Sequence, residues 1–232
     1  SHENNKLIFE SKSSPHVSED FRKLGATIRP ALKELSIKTL LVTSPYAGEG
    51  KSTIVANLGL ILAKTGTRVV IVDADLHIPR QHIIFDISQR EGLSDYLSGK
   101  STEPVLKETK TENLRILTSG DQHNEFVELL SSPYLEKLLN YLTNEAEVVI
   151  IDSPPILTLA DASYITPYVD GALLVFRSGV TKRKIALDAA TILKNAGIRY
   201  LRYILNDVVE STDHFYQYYE SKPTENDTPN QS

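Results

Sequence analysis

The segment Thr39–Thr53, with the sequence TLLVTSPYAGEGKST, constrains this chain more than any other segment. Its first half is apolar and β-branched, which predicts a buried strand. Its second half is a glycine-rich turn that ends in Gly50-Lys51-Ser52-Thr53 and leads into an apolar helix-forming run. Such a strand, turn and helix direct backbone N–H groups and the helix dipole at one anion. The segment therefore predicts a phosphate-binding site within an α/β fold.

The turn carries the groups that bind a nucleoside triphosphate. Its backbone N–H groups can surround the phosphates, Lys51 can reach the β- and γ-phosphates, and the Ser52 hydroxyl can ligate Mg²⁺. The strict pattern G-x-x-x-x-G-K-[ST] begins with glycine, where this chain has Pro45. A glycine-rich helix start that arose by chance fits the flanking strand and helix less well. We predict a nucleotide site formed by Ala47, Gly48, Glu49, Gly50, Lys51, Ser52 and Thr53.

The composition excludes several classes of protein. The chain has 232 residues, of which 41% are hydrophobic and 24% charged, as in one ordinary globular domain. Its net charge of −5 gives no electrostatic reason to expect nucleic-acid binding. No apolar run reaches the roughly 20 residues that cross a bilayer. We find no signal peptide and no cysteine, and we expect a cytoplasmic protein.

Apolar runs and helical patterns alternate along the rest of the chain. Further strands are predicted within residues 68–76, 113–120, 147–155, 171–178 and 200–207. Helices are predicted from residue 132 and over residues 17–35 and 182–196. Ser18 is a candidate N-cap of the helix at 17–35, and Pro30 is expected to kink or divide it. This alternation indicates a three-layer α/β fold of the P-loop NTPase type, with helices on both faces of a mostly parallel sheet. We expect an extended arm at residues 1–16, one domain at 17–208 and a polar, flexible tail at 209–232.

Aspartates follow two of the predicted strands. Asp73 and Asp75 end one strand, and Asp152 ends another. Because ligands bind beyond the carboxyl ends of parallel strands, we expect these acids to gather near Lys51. A lone strand-end aspartate more often caps a helix, but the nearby phosphate loop favours a site. Two carboxylates as close as Asp73 and Asp75 repel each other unless a cation or a proton transfer occupies them.

Three motifs in this order resemble those of the bacterial tyrosine kinases (BY-kinases) of capsule and exopolysaccharide operons. They are GEGKST at residues 48–53, VVIVDADL at 69–76 and VVIIDSPP at 148–155. This family is related to the MinD/ParA ATPases, and the similarity covers about residues 17–208 and continues into the tail. It implies a protein-tyrosine kinase that uses ATP and Mg²⁺, autophosphorylates and regulates capsular or exopolysaccharide synthesis and export.

The resemblance also implies a role for each site residue. Asp73 would accept the proton of a tyrosine hydroxyl, and Lys51 would stabilise charge on the transferred phosphoryl group. Asn206 aligns with a residue that contacts the adenine edge, although an ordinary strand-end asparagine is an equally open interpretation. The implied catalytic residues are Lys51, Asp73, Asp75 and Asp152, and the implied Mg²⁺ ligands are Ser52, Asp75 and Asp152.

The tail carries the autophosphorylation sites that the resemblance implies, Tyr216, Tyr218 and Tyr219. Their packing against the sheet edge is the structural alternative. The resemblance implies phosphorylation in trans within a ring of unphosphorylated subunits. It further implies a membrane-anchored activator, which is a polysaccharide co-polymerase subunit, and a cognate tyrosine phosphatase. The activator would recruit the kinase to the inner face of the membrane.

Several positions depart from the family pattern. The motif Asp-x-Asp-x-Arg has His77 in place of arginine, and the interface motif Glu-x-x-Arg-x-x-Arg reads Glu19, Arg22 and then Gly25. These losses leave open a degenerate nucleotide-binding adaptor of the same system. A MinD/ParA-type switch ATPase is the other alternative, but Tyr46 lies where that branch has lysine.

Overall fold

The computed structural model describes residue 7 and residues 15–121, 126–159 and 161–208. The helices of this part are α1 (Pro15–Glu34), α2 (Lys51–Lys64), α3 (Gln81–Phe85), α4 (Leu93–Leu97), α5 (Phe126–Leu130), α6 (Tyr134–Glu145), α7 (Asp161–Ile165) and α8 (Arg183–Asn195). The strands are β1 (Thr39–Thr43), β2 (Val69–Asp73), β3 (Lys107–Glu108), β4 (Leu114–Leu117), β5 (Val148–Asp152), β6 (Gly171–Arg177) and β7 (Tyr200–Asn206).

The strands form one sheet in the order β3-β4-β2-β5-β1-β6-β7. Among the strands of the described residues, only the short edge pair β3–β4 is antiparallel. Every residue of β1, β2 and β5 is buried, as their continuous apolar runs predict. One core cluster joins the sheet to α1, α2 and α3, and a second joins its other face to helices α4 to α8. The predicted three-layer α/β fold is confirmed.

Local details differ from the sequence prediction. The edge strand β3 is too short to have produced an alternating pattern. Helix α1 begins at Pro15 rather than near Ser18, and it continues through Pro30. Pro30 lies on the exposed side of this helix, whereas Ile28 and Leu32 are buried in the core. Packing of the buried side therefore outweighs the hydrogen bond that the proline removes.

Gly25 is a packing position between α1 and α2. A Cβ at this position would overlap the Cγ2 methyl group of Ile61. The arginine of the family motif would therefore not fit at position 25 unless Ile61 moved. Glu19 and Arg22, in contrast, are exposed on α1 and form an ion pair with each other at 3.2 Å.

Two further observations bear on the expected organisation of the chain. Leu7 lies within the expected N-terminal arm, yet it is buried in the cluster that contains α1 and α2. No helix among the described residues has the length and apolar character needed to span a membrane. The division at residues 16 and 208 remains a prediction.

Candidate functional site

The parallel register of the central strands brings the predicted acids to one edge of the sheet. Asp152 at the end of β5 is the direct register partner of Asp73 at the end of β2, and of Val42 in β1. The loop that follows β1 leads to Lys51, the first residue of α2. The phosphate loop and the two acid-bearing strands therefore meet at the carboxyl edge of the sheet.

Two glycines give the loop its shape. Gly48 and Gly50 have φ angles of +82° and +93°, in the left-handed region that favours glycine. A Cβ at Gly50 would also overlap the side-chain amide of Asn206. Gly50 therefore allows both the turn into α2 and the close approach of β7.

The side chain of Glu49 links the phosphate loop to neighbouring segments. The loop motif in the sequence indicates only the role of the backbone N–H groups at this position. The side chain is only 3% exposed. The Thr181 hydroxyl donates a hydrogen bond to Glu49 Oε1, and the Tyr46 N–H donates to Oε2 at 3.3 Å. The Asn206 Nδ2 donates to the Glu49 carbonyl oxygen at 3.0 Å. The loop is thus held from the segment after β6 and from the end of β7.

Lys51 and Asp75 form a buried ion pair. Lys51 Nζ lies 2.8 Å from Asp75 Oδ2, and the Ile78 N–H donates to Asp75 Oδ1 at 3.1 Å. Burial opposes the charge of the ammonium group, but the carboxylates of Asp152 and Asp75 outweigh it and raise the pKa of Lys51. Asp152 and Asp75 together therefore hold the loop lysine in its charged form.

Asp73 and Asp152 are a fully buried pair of carboxyl groups. Burial, followed by the neighbouring charge of Asp152, raises the pKa of Asp73 well above its usual range. Two N–H groups, of Gln81 at 2.9 Å and Arg80 at 3.0 Å, oppose this shift by donating to Asp73 Oδ2. Burial also raises the pKa of Asp152, against the lowering effects of Lys51 and of nearby hydrogen bonds. The pair therefore favours a proton or a cation between its members.

Gln81 is a site residue that the sequence analysis did not select. It is fully buried, and its Nε2 donates to Asp152 Oδ2 at 2.8 Å. No motif or periodicity distinguishes this glutamine from others in the chain. His77, the departure noted in the acidic motif, lies with its ring 4.1 Å from the ring of Phe126.

The site has acceptors that suit a hydrated cation. Three buried oxygens have no hydrogen-bond partner among the described residues, namely Asp73 Oδ1, Gln81 Oε1 and Asp152 Oδ1. No group of three or more His, Cys, Asp or Glu side chains in the described ranges is arranged to hold a metal ion. Mg²⁺ commonly binds through one or two carboxylates, water and substrate phosphates, so the residues present fit a nucleotide-bound Mg²⁺.

The structure thus brings together the residues predicted for nucleotide, metal and catalysis. These are residues 47–53, Asp73, Asp75, Asp152 and Asn206. Glu19 and Arg22 lie on α1, a helix that packs on α2. Tyr216, Tyr218 and Tyr219 lie outside the described residues.

Comparison with known proteins identifies the relatives of this chain. Residues 37–168 match the family described as AAA domain. The chain is 33% identical over 215 residues to the putative tyrosine-protein kinase CapB of Staphylococcus aureus, covering 92% of this chain and 94% of CapB. It is 35% identical over 206 residues to the tyrosine-protein kinase YwqD of Bacillus subtilis, covering 88% of this chain and 87% of YwqD.

Solved structures give the same grouping. The chimerical protein CapA2B2 superposes with a TM-score of 0.81 at 32% identity, covering 88% of this chain and 90% of that chain. The septum site-determining protein MinD of Pyrococcus horikoshii, in complex with Mg-ADP, has a TM-score of 0.63 at 25% identity and covers 72% of this chain and 69% of its own. This chain therefore shares its fold with MinD, but both its TM-score and its sequence identity are higher with CapA2B2.

Proposed function

The chain belongs to the bacterial tyrosine kinases, and we propose that it transfers the γ-phosphoryl group of ATP to tyrosine side chains, its own included. The observation that carries the proposal is the meeting of a phosphate loop with the buried pair Asp73 and Asp152. A phenol has a pKa of about 10 and is a poor nucleophile until its proton is accepted. A carboxyl group with a raised pKa at the phosphate site supports that proton transfer.

In the proposed reaction the phenol oxygen forms a bond to the γ-phosphorus while the bond from that phosphorus to the bridging oxygen of ADP breaks. Asp73 accepts the phenol proton. The loop N–H groups hold the phosphates, and Lys51 moves its charge from Asp75 onto the transferred group. Ser52, Asp75 and Asp152 would hold Mg²⁺, which neutralises charge on the β- and γ-phosphates when it is bound.

The family relationship supports a role in polysaccharide synthesis and export. We propose autophosphorylation in trans at Tyr216, Tyr218 and Tyr219 within a ring of subunits, with Glu19 and Arg22 at the subunit interface. A membrane-anchored activator would recruit the kinase to the inner face of the membrane, and a cognate phosphatase would reverse the modification. We further propose that Asn206 contacts adenine through Oδ1, since its Nδ2 already donates to Glu49.

The relationships favour a kinase over the two alternatives. The relatives that match most of this chain are named as tyrosine-protein kinases, so a degenerate adaptor is not favoured. A MinD-type switch ATPase is less well supported, because the superposition on MinD has the lower TM-score.

Intact-mass measurement after incubation with Mg-ATP tests the proposal, with and without the cytoplasmic peptide of the activator. We expect phosphate increments that disappear in Lys51→Met and decrease when Tyr216, Tyr218 and Tyr219 are changed to Phe. A matched control changes exposed tyrosines of the folded domain to Phe, namely Tyr134, Tyr141 and Tyr168. ATP consumption without protein-bound phosphate would instead indicate a switch ATPase, and neither signal would indicate an adaptor.

A further inference from the structure

Gln81 contacts all three motifs of the site. Besides its 2.8 Å hydrogen bond to Asp152, its Nε2 donates to the backbone carbonyl of Ser52 at 3.1 Å. Its backbone N–H donates to Asp73 Oδ2 at 2.9 Å. One buried residue therefore joins the phosphate-binding loop to both strands that carry the acids.

The orientation of the Gln81 amide follows from its neighbours. The backbone carbonyl of Ser52 and an ionised Asp152 carboxylate can each accept hydrogen bonds but cannot donate them. The amide nitrogen must therefore face both groups, and this assignment rests on the hydrogen-bond network. Oε1 then faces elsewhere, and it is buried without a partner among the described residues. A buried amide oxygen without a hydrogen-bond donor is suited to accept a hydrogen bond from a group that a ligand brings into the site.

A hydrated Mg²⁺ matches this oxygen better than the substrate phenol does. Asp73 Oδ1 and Asp152 Oδ1 are also buried acceptors without partners. A phenol brings a single O–H donor, and in the proposed reaction Asp73 accepts that proton. Several water molecules usually stay bound to Mg²⁺, and each can donate to the acceptors that remain. The number of unpartnered acceptors therefore favours the hydrated cation.

Resting on the proposed function, we propose that Gln81 is a positioning residue that orients Asp152 toward nucleotide-bound Mg²⁺ and accepts a hydrogen bond from a metal-bound water through Oε1. Outer-shell partners of this kind orient the groups that contact a metal. The amide group of Gln81 thus both donates and accepts. Its nitrogen donates to the Asp152 carboxylate, and its oxygen would accept from the metal-bound water.

Titration of the full chain with ADP, in EDTA and in Mg²⁺, tests this role. The gain in ADP affinity on adding Mg²⁺ is compared among the wild type and two variants. Gln81→Met keeps the side-chain length but has no amide group. Gln81→Asn keeps the amide but is too short to contact both Asp152 and the Ser52 carbonyl. We expect each variant to lose about tenfold or more of this gain, the range for outer-shell partners. Because the gain compares the same variant with and without Mg²⁺, a change in ADP affinity through the Ser52 contact alone leaves it unaltered. Gln89→Met is the control, because Gln89 donates to the Gly120 carbonyl outside the site. Thermal unfolding in EDTA confirms that each variant is folded.

An unchanged gain on adding Mg²⁺ would overturn the role of Gln81. This holds whether ADP affinity falls equally with and without Mg²⁺ or the variant instead raises the KM for a tyrosine peptide. The proposed function fails separately. A wild-type protein that binds Mg-ADP more tightly than ADP but forms no phosphotyrosine would refute the kinase while leaving the Gln81 result interpretable.

Discussion

Replacing Asp73 by asparagine should stabilise the protein while strongly slowing phosphotyrosine formation. Asp73 is fully buried beside Asp152, and both carboxyl groups have raised pKa values. Lys51 is the cation that faces them, and it is already paired with Asp75 at 2.8 Å. The side-chain oxygen of asparagine can still accept the hydrogen bonds that the N–H groups of Arg80 and Gln81 donate to Asp73. The substitution also removes one buried negative charge.

The size of the effect follows from the cost of buried charge. Replacing a buried ion pair by well-packed apolar residues often stabilises a protein by about 1–4 kcal/mol, and we expect a gain of the same order when one of two buried carboxylates is neutralised. For a chain of this length each kcal/mol corresponds to a rise of about 2–4 °C in Tm. Because the removed group is the proposed proton acceptor, phosphorylation should fall by about 10²- to 10⁴-fold.

The pH dependence has a definite sign. The pKa of Asp73 is raised on folding, so the folded state binds more protons than the unfolded state between the ordinary pKa of 3.8 and the raised value. Stability of the wild type therefore falls as pH increases through this window, by at most about 1.4 kcal/mol per pH unit for this group. The advantage of Asp73→Asn should be small near pH 4 and grow toward pH 8.

Urea unfolding in EDTA without nucleotide, at several pH values, measures this difference, and Asp188→Asn on the exposed side of α8 is the control. Two outcomes would refute the reasoning. One is a lower stability of Asp73→Asn at pH 8, and the other is a stabilisation that does not change with pH.

Three further predictions concern packing around the site and between α1 and α2. Glu49→Ala and Thr181→Val should each weaken ATP binding measured by calorimetry. Because the two side chains are hydrogen-bonded, a double-mutant cycle should give a coupling energy of about 0.5–3 kcal/mol, and losses of binding free energy that simply add would contradict this. Gly25→Arg should lower the free energy of unfolding in urea by about 1–3 kcal/mol through overpacking, and Ile61→Ala should relieve part of that loss. Gly50→Ala should abolish nucleotide binding measured by fluorescence of a labelled ADP, since it meets a left-handed φ and the neighbouring asparagine; wild-type affinity would be the contrary result.

Much of the fold and part of the site follow from local patterns. The apolar runs of the central strands determine their burial on both faces, and the glycine spacing at residues 48–50 determines the shape of the loop. Strand-end aspartates then converge because parallel strands end at one edge. Pro30 does not divide α1, since tertiary packing of this helix outweighs a single lost backbone hydrogen bond.

The amino-acid sequence by itself determined the α/β class and the phosphate loop, because both depend on residues close together in the chain. It also determined the edge of the sheet where the acids gather, because parallel strands end at one edge. Only the tertiary structure decided that Gln81 joins Asp73 to Asp152 and that Glu49 meets Thr181, 132 positions away. It also decided that position 25 faces Ile61. These contacts join segments distant in sequence, and their geometry exists only once the sheet and its helices have packed.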